Sequence, residues 1–347
     1  MFVGFQEKRQ SKLFLVLITF LGLVLLTACG TNQAETQNKK LTIYSGRSES
    51  LVGPIIEQFE SAAGIEVEVR YGGTAEMAAT LLEEGENSPA DIFWAQDPGG
   101  LGAVAEAGMM AAIPQDTLDR VPERFRSPQG TWVGISGRAR VVVYNTDALN
   151  PEQFPDDLWG FTGPEWKGRI GWAPTNGSFQ VMVTAMRQIW GEAETRRWLE
   201  DILANEPVVY EKNTPTVAAV GANEVQVGLV NHYYLYRFIQ EEGEEFPARN
   251  YFLPGGGPGS LVMVSGAGII ETGQNRENAE RFLDFMLSQV AQQYFATQTY
   301  EYPLVEGVKT PRELTPLSEL NNVRIDLADL ADLQGTVELL SAAGVLP

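Results

Sequence analysis

Residues 41–71 read LTIYSGRSESLVGPIIEQFESAAGIEVEVRY, and their periodicity decides the class of fold. Leu41-Thr-Ile-Tyr44 is a short β run that ends in the turn Ser45-Gly46. Leu51, Ile55, Ile56 and Phe59 then recur at helical spacing. Residues 65–71 alternate Ile, Val and Val with Glu, Glu and Arg, the period of two that marks a strand. Working outward, residues 74–84 read as a helix and Asp91-Ile-Phe-Trp94 as a strand. Strands follow at 140–144, 169–172 and 261–264, with helices at 179–190, 192–204, 276–288 and 290–297. Strands alternating with helices of this length predict an α/β fold on a mainly parallel sheet. No Pro-rich linker or internal repeat divides the chain, so two lobes joined by strands that cross more than once are expected. Ligands of such sheets lie beyond the carboxyl ends of strands, which directs attention to residues just after them.

The 347 residues are 44% hydrophobic and 20% charged, a globular composition rather than a disordered one. Acidic residues outnumber basic ones by 45 to 25, giving a net charge of −20 and no basic surface suited to nucleic acid. One Cys and one His exclude a disulfide framework, a zinc finger and a His-rich metal site. A Ser-His-Asp hydrolase would have only His232 as its base.

Lys8, Arg9 and Lys12 precede the apolar run from Leu13 to Leu26, a pattern shared by signal peptides and short membrane helices. The ending Leu26-Thr-Ala-Cys29 decides for export, because it resembles the lipobox of bacterial lipoproteins and holds the chain's one Cys. The expectation is a signal peptide over 1–28, a lipidated Cys29 and a polar tether over 29–40, anchored on the extracytoplasmic side of a membrane. Removal of the leader takes three positive charges and one negative, leaving −22.

Asn231-His-Tyr-Tyr-Leu-Tyr236 directly follows the apolar strand Val227-Gly-Leu-Val230. Neighbouring tyrosines serve packing or ligand binding; as ligands, phenolate oxygens suit a hard, highly charged cation. A free phenol titrates near ~10, so a strong Lewis acid such as ferric iron is needed to deprotonate it at neutral pH. His232 reads most simply as a hydrogen-bonded structural residue. Arg138 and Arg140 share one face of a strand and either point to solvent or converge on an anion. Asn176-Gly-Ser178 opens a helix, either as an ordinary cap or as an anion seat. Gly255-Gly-Gly-Pro-Gly259 lacks the Lys-Ser/Thr of a phosphate loop and reads as an interdomain turn.

Taken with Ile43-Tyr-Ser-Gly-Arg-Ser48, Ser88-Pro-Ala-Asp-Ile-Phe93, Trp132 to Asn145, Trp166-Lys-Gly-Arg-Ile-Gly171, Pro258-Gly-Ser-Leu-Val262, Ser265-Gly-Ala-Gly268 and Glu301-Tyr-Pro-Leu304, these segments fall in a familiar order. From Leu41 to Pro347 the chain resembles the ferric-iron-binding solute-binding proteins of ABC importers. These are class II periplasmic binding proteins, similar in shape to a transferrin lobe. The resemblance implies an N-lobe from 41–137 plus 265–310, a C-lobe from 138–264 plus 311–347, and a ligand cleft between them. It implies that Tyr233 and Tyr234 bind Fe³⁺ and that Arg138, Asn176, Gly177 and Ser178 hold a synergistic anion such as carbonate. Where some members carry a His and a Glu ligand, this chain has Ser48 and Gln96. Gln96 remains a candidate ligand, Asp97 and Glu49 are further carboxylates, Tyr236 and Tyr144 are spare phenols, and Arg47 is a candidate anion contact. The implied partners are an ABC permease and its ATPase, the membrane through the lipid anchor, and no second copy of the chain. The alternative within the same fold is a small anion, a polyamine or a thiamine-like cargo; no enzymatic activity is expected.

Overall fold

The first strand, helix and strand form where the periodicity places them, as β1 (Lys40–Ser45), α1 (Glu49–Ala63) and β2 (Glu66–Tyr71). Helix α1 buries Leu51, Val52, Ile55, Ile56 and Phe59 on one face. That burial outweighs Pro54 one turn in, which removes a backbone hydrogen bond. Gly64 ends the helix at φ 67°, a left-handed conformation that glycine adopts at no steric cost. In this computed structural model, which describes residues 39–323 and 325–347, the chain continues with α2 (Thr74–Glu84), β3 (Ile92–Ala95), α3 (Pro98–Glu106), α4 (Gln115–Leu118) and β4 (Val133–Asn145). Next come β5 (Ile170–Trp172), α5 (Gly177–Trp190), α6 (Glu192–Ala204), β6 (Val208–Val209), α7 (Asn213–Gly221), β7 (Val227–Asn231), α8 (Tyr233–Glu242) and β8 (Ala248–Tyr251). The last elements are β9 (Val262–Ile269), α9 (Arg276–Met286), α10 (Gln289–Gln298), β10 (Tyr302–Pro303) and α11 (Leu333–Ala342).

The strands form one path in the order β2-β1-β3-β9-β4-β7-β5-β6, with β8 and β10 also paired to β4. Four ladders are parallel and five antiparallel, so the expectation of a mainly parallel sheet is corrected. Parallel pairing holds on the two flanks, where helices return the chain. The crossing strands β4 and β9 run antiparallel to their neighbours.

Strand β4 is buried along all thirteen residues and changes partners midway. Its first half, to Ala139, pairs with β9, whereas Arg140 to Asn145 pair with β7 and β8. Side chains accordingly gather into separate cores on the two sides. One holds Ile43, Phe59, Phe93, Trp94, Val264 and Phe295; another holds Trp172, Phe179, Trp198 and Leu229. This is the two-lobed α/β architecture of a type II binding protein. The change of partners falls at Ala139/Arg140, and all of β9 pairs on the first side. Within 311–347, Leu314, Leu327 and Leu330 join the first core, while Leu339 and Leu340 of α11 join the second. The glycine run 255–257 is the turn from β8 to β9, with Gly256 and Gly257 at φ 74° and 75°. It therefore links a strand of one lobe to a strand of the other.

The signal peptide, Cys29 and the tether up to residue 38 lie outside the described residues. Among the described residues, no helix is long and apolar enough to cross a membrane.

Candidate functional site

Strand β7 is buried throughout and aligns Asn231 with Arg140 of β4. The chain then enters α8 at once, because His232 already has helical backbone angles. Tyr233 and Tyr234 thus occupy the first turn of a helix rather than a loop. Their rings stack with centroids 4.4 Å apart at 27°. A helix N-terminus favours negative charge, so this placement suits phenolates. Tyr233 is fully buried and its hydroxyl has no hydrogen-bond partner, while Tyr234 is half-buried.

Three arginines converge on this pair. Arg47, Arg138 and Arg140 are 0%, 0% and 1% exposed. Arg47 follows β1 and donates from Nη2 to Glu301 Oε2 at 2.7 Å, both side chains fully buried. Arg140 donates from Nη1 to Asn231 Oδ1 at 3.1 Å. Arg138 makes no side-chain hydrogen bond among the described residues; its Nε, Nη1 and Nη2 all lack partners there. Burial pushes the Tyr233 phenol well above its ordinary value, Tyr234 pushes it further, and Arg47 and Arg138 pull it back. Burial lowers Arg138, opposed by Tyr233 and reinforced by Arg47. Burial, with Arg138 beside it, lowers Arg140 to about 9, so it remains charged at neutral pH. Burial also works against the Arg47 charge, but Glu301 and the tyrosines hold it above its ordinary value.

The turn before α5 approaches from the second lobe. Asn176 Oδ1 caps the Ser178 N–H at 3.1 Å and accepts from Asn213 Nδ2 at 3.3 Å. The Phe179 and Gln180 amides are taken by the Asn176 carbonyl. Three of the first four helix amides are therefore engaged within the turn, and Gly177 supplies the fourth. Ser178 is buried, and its Oγ accepts from Asn231 Nδ2 at 3.1 Å, which links the turn through Asn231 to Arg140. A Cβ on Gly177 would lie 3.5 Å from Asp97 Oδ2, so the turn meets the start of α3 closely.

Of the other candidates, Asp97 adjoins this cluster through Arg138 and the Gly177 turn. Ser48 and Glu49 are exposed at the start of α1. Gln96 is half-buried; its backbone N–H donates to Thr74 Oγ1 at 3.0 Å. Asp97 is buried, caps α3 through Gly100, and has its pKa raised by burial against the pull of Arg138. The Tyr236 hydroxyl donates to the Glu313 carbonyl at 2.7 Å, and the Tyr144 ring packs edge-on to Phe154 in the second core. His232 accepts from the Ala139 amide at Nδ1 (3.1 Å), and its Nε2 faces the Tyr300 carbonyl at 2.7 Å, which makes Nε2 the protonated nitrogen. With both nitrogens committed and burial lowering its pKa to about 4, it is no general base.

Sequence reasoning passed over Glu301, Asn231 and Asn213, and weighed Arg140 without assigning it. Asn231 and Glu301 begin motifs that were already conspicuous, NHYY and EYPL, and that was the available signal. A surface groove of about 950 Å³ lies elsewhere, between residues 123–130 and 322–327, and contains none of the tyrosines or buried arginines. Among the described residues no cluster of three or more His, Cys, Asp or Glu offers a metal site. What this cluster can bind is a hard cation through phenolate oxygen together with an anion through guanidinium.

Residues 87–325 match the family described as bacterial extracellular solute-binding protein. The chain is 31% identical over 316 residues to the Fe(3+)-binding periplasmic protein of Serratia marcescens, covering 90% of this chain and 93% of that one. The crystal structure of iron-bound HitA from Pseudomonas aeruginosa superposes with a TM-score of 0.84 at 32% identity, covering 88% of this chain and 99% of that one. A Trichodesmium protein (IdiA, FutA) in complex with iron and citrate ligands gives 0.77 at 28% identity, covering 88% of this chain and all of that one. On sequence, fold and coverage alike, the chain belongs to the bacterial extracellular solute-binding protein family.

Proposed function

We propose that this protein captures ferric iron outside the cytoplasm and delivers it to an ABC permease driven by its ATPase. Tyr233 and Tyr234 are the metal ligands, and Arg138, with Gly177 and Ser178, seats a synergistic anion; Asn176 holds that turn in shape. Arg47 adds positive charge beside Tyr233, and Gln96, in the segment after β3, is a candidate further ligand. The carrying observation is the buried Tyr233, its ring stacked on Tyr234 and its hydroxyl, like seven nitrogens of the neighbouring arginines, without a hydrogen-bond partner among the described residues. An unsatisfied buried hydroxyl costs stability, and a ligand that replaces its proton removes that cost. The iron-binding names of the Serratia and Pseudomonas relatives support the same reading. Cys29 anchors the protein by lipid, and the monomer closes its two lobes over the cargo.

Binding exchanges each phenol proton for the metal, so capture releases two protons and acid reverses it. The test is a ferric titration of the full chain followed by visible absorbance. Wild type should turn orange to red through tyrosinate-to-iron charge transfer, and Tyr233→Phe or Tyr234→Phe should lose most of the band and bind at least ~100-fold more weakly. Tyr236→Phe should behave as wild type. Retention of colour and affinity in both Phe variants at 233 and 234 would overturn the ligand assignment. The three buried arginines favour one second reading, a metal-free organic anion; they disfavour polyamine or thiamine-like cations. Absence of colour with every anion supplied would select that second reading.

A further inference from the structure

Helix α3 opens Pro98-Gly-Gly-Leu-Gly102, and its glycines at 99, 100 and 102 are all buried. Glycine is a poor helix former, so each calls for a reason. A Cβ on Gly100 would strike Thr74. A Cβ on Gly99 would lie 2.9 Å from Leu333 Cδ1 and 3.2 Å from the Leu330 carbonyl oxygen. On Gly102 it would lie 2.8 Å from Ala331 Cβ. Gly99 and Gly102 therefore make room for one distant stretch, residues 330–333, which rests directly on α3.

The same stretch is fixed to the second lobe by different means. Arg187 of α5 donates to the Asp332 carbonyl at 3.1 Å, to Asp332 Oδ2 at 2.9 Å and to Thr336 Oγ1 at 3.0 Å. Thr336 and Thr184 of α5 share a fully buried hydroxyl–hydroxyl bond of 2.7 Å. Farther along, Leu339 and Leu340 enter the second core. Helix α5 divides in the same way: Phe179, Met182 and Met186 belong to the second core, whereas Val181 and Ala185 join the first, as Leu330 does. Directional bonds thus hold the stretch to α5, while on α3 the contact is carbon against glycine. Apolar contact is non-directional and re-forms readily after parting, whereas separating a buried hydroxyl pair leaves polar atoms unsatisfied.

Resting on the lobe closure proposed above, we infer that residues 330–336 form a strap that travels with the second lobe and latches onto the glycine face of α3 when the cleft shuts. Its position gives the latch its effect. Helix α3 begins at its cap Asp97, which meets the Gly177 turn of α5 at the site. The strap therefore joins the two helices whose first turns wall the cleft. It favours the closed state whatever the cargo, and weakening it speeds release.

The test cross-links the latch. Gly102→Cys with Ala331→Cys is made in the full chain carrying Cys29→Ser, so that only the new pair oxidises. The two Cβ positions are close enough to bridge with a shift of about 1 Å. Metal-free oxidised protein should match iron-loaded wild type in small-angle scattering and expand on reduction. Loaded and then oxidised, it should lose iron to excess chelator at least about tenfold more slowly than when reduced. Leu333→Ala, which leaves α3 intact, should release iron about tenfold faster than wild type. Thr336→Val should lower stability without changing that rate. Equal compactness and equal release in the two redox states would show that α3 and the strap never part, and would overturn the inference. Faster release from Thr336→Val but not from Leu333→Ala would place the parting seam against α5, and would also overturn it. A wild type that takes up no iron would sink the ferric reading, while the redox dependence of metal-free scattering still decides the strap.

Discussion

Tyr233 is costly where it stands, since its hydroxyl is fully buried and bonded to nothing. Removing an unsatisfied polar atom while keeping its ring is close to neutral or stabilising. Metal-free Tyr233→Phe should therefore equal or exceed wild type in urea denaturation while losing iron; a loss of more than about 2 kcal/mol would mark the hydroxyl as structural. Arg138 makes the parallel case with a charge. Arg138→Met, in metal-free protein, should be neutral to stabilising by up to about 4 kcal/mol, because the guanidinium is buried without a hydrogen bond among the described residues and only the longer-range attraction of buried Asp97 and Glu301 opposes its loss. Stability lost in that variant would show that the guanidinium holds the fold. Both residues were legible in the sequence because their chemistry is specific: phenols and a guanidinium are poor choices for plain packing after or within an apolar strand. Glu301 was not, because what identifies it is a partner 254 residues away.

At the scale of elements, His232 ties the crossing strand β4 to the segment leading into β10. It accepts from Ala139 of β4 and donates to the Tyr300 carbonyl, in a residue kept at a strained φ of 55°. The next residue, Glu301, turns to Arg47 on the other side. Glu301→Ala leaves Arg47 buried without its carboxylate and should cost about 3–5 kcal/mol in chemical denaturation. A loss under about 1 kcal/mol would mean that Arg47 is solvated or otherwise paired. His232 stays neutral in the fold, its pKa lowered to about 4. The unfolded chain takes up the proton first, near ~6.5, so stability is full above that pH and declines toward pH 4 by roughly 3 kcal/mol. Comparing denaturation at pH 7 and pH 5, His232→Gln should lose less than wild type; equal losses would remove His232 as a source of acid sensitivity. The sequence predicted α1, α2, α5, α6, α9 and α10, because their apolar periods were intact. It missed α3, α7 and α8, the last because aromatic residues after an apolar strand carry no clear helical period, and the antiparallel pairing of β4 and β9, which is set by chain crossing rather than by local pattern.

For the whole molecule, residues from both lobes and the crossing strand meet in one buried cluster, so cargo entry requires the lobes to part. Small-angle scattering should show iron-loaded protein more compact than the metal-free form, and identical profiles for verified loaded and empty samples would contradict closure around the cargo. The acidic net charge of −20 draws cations toward the surface, and on the proposed reading the buried arginines admit those that arrive with an anion. Iron capture by paired phenolates is the claim on which the rest depends. Resonance Raman spectroscopy of the iron-loaded full chain, excited within its visible band, tests it most directly. Tyrosinate ring modes should be strongly enhanced in wild type, reduced in each of Tyr233→Phe and Tyr234→Phe, and absent when both are changed. A loaded wild-type protein without enhanced tyrosinate modes, or a double variant that keeps them, would contradict it.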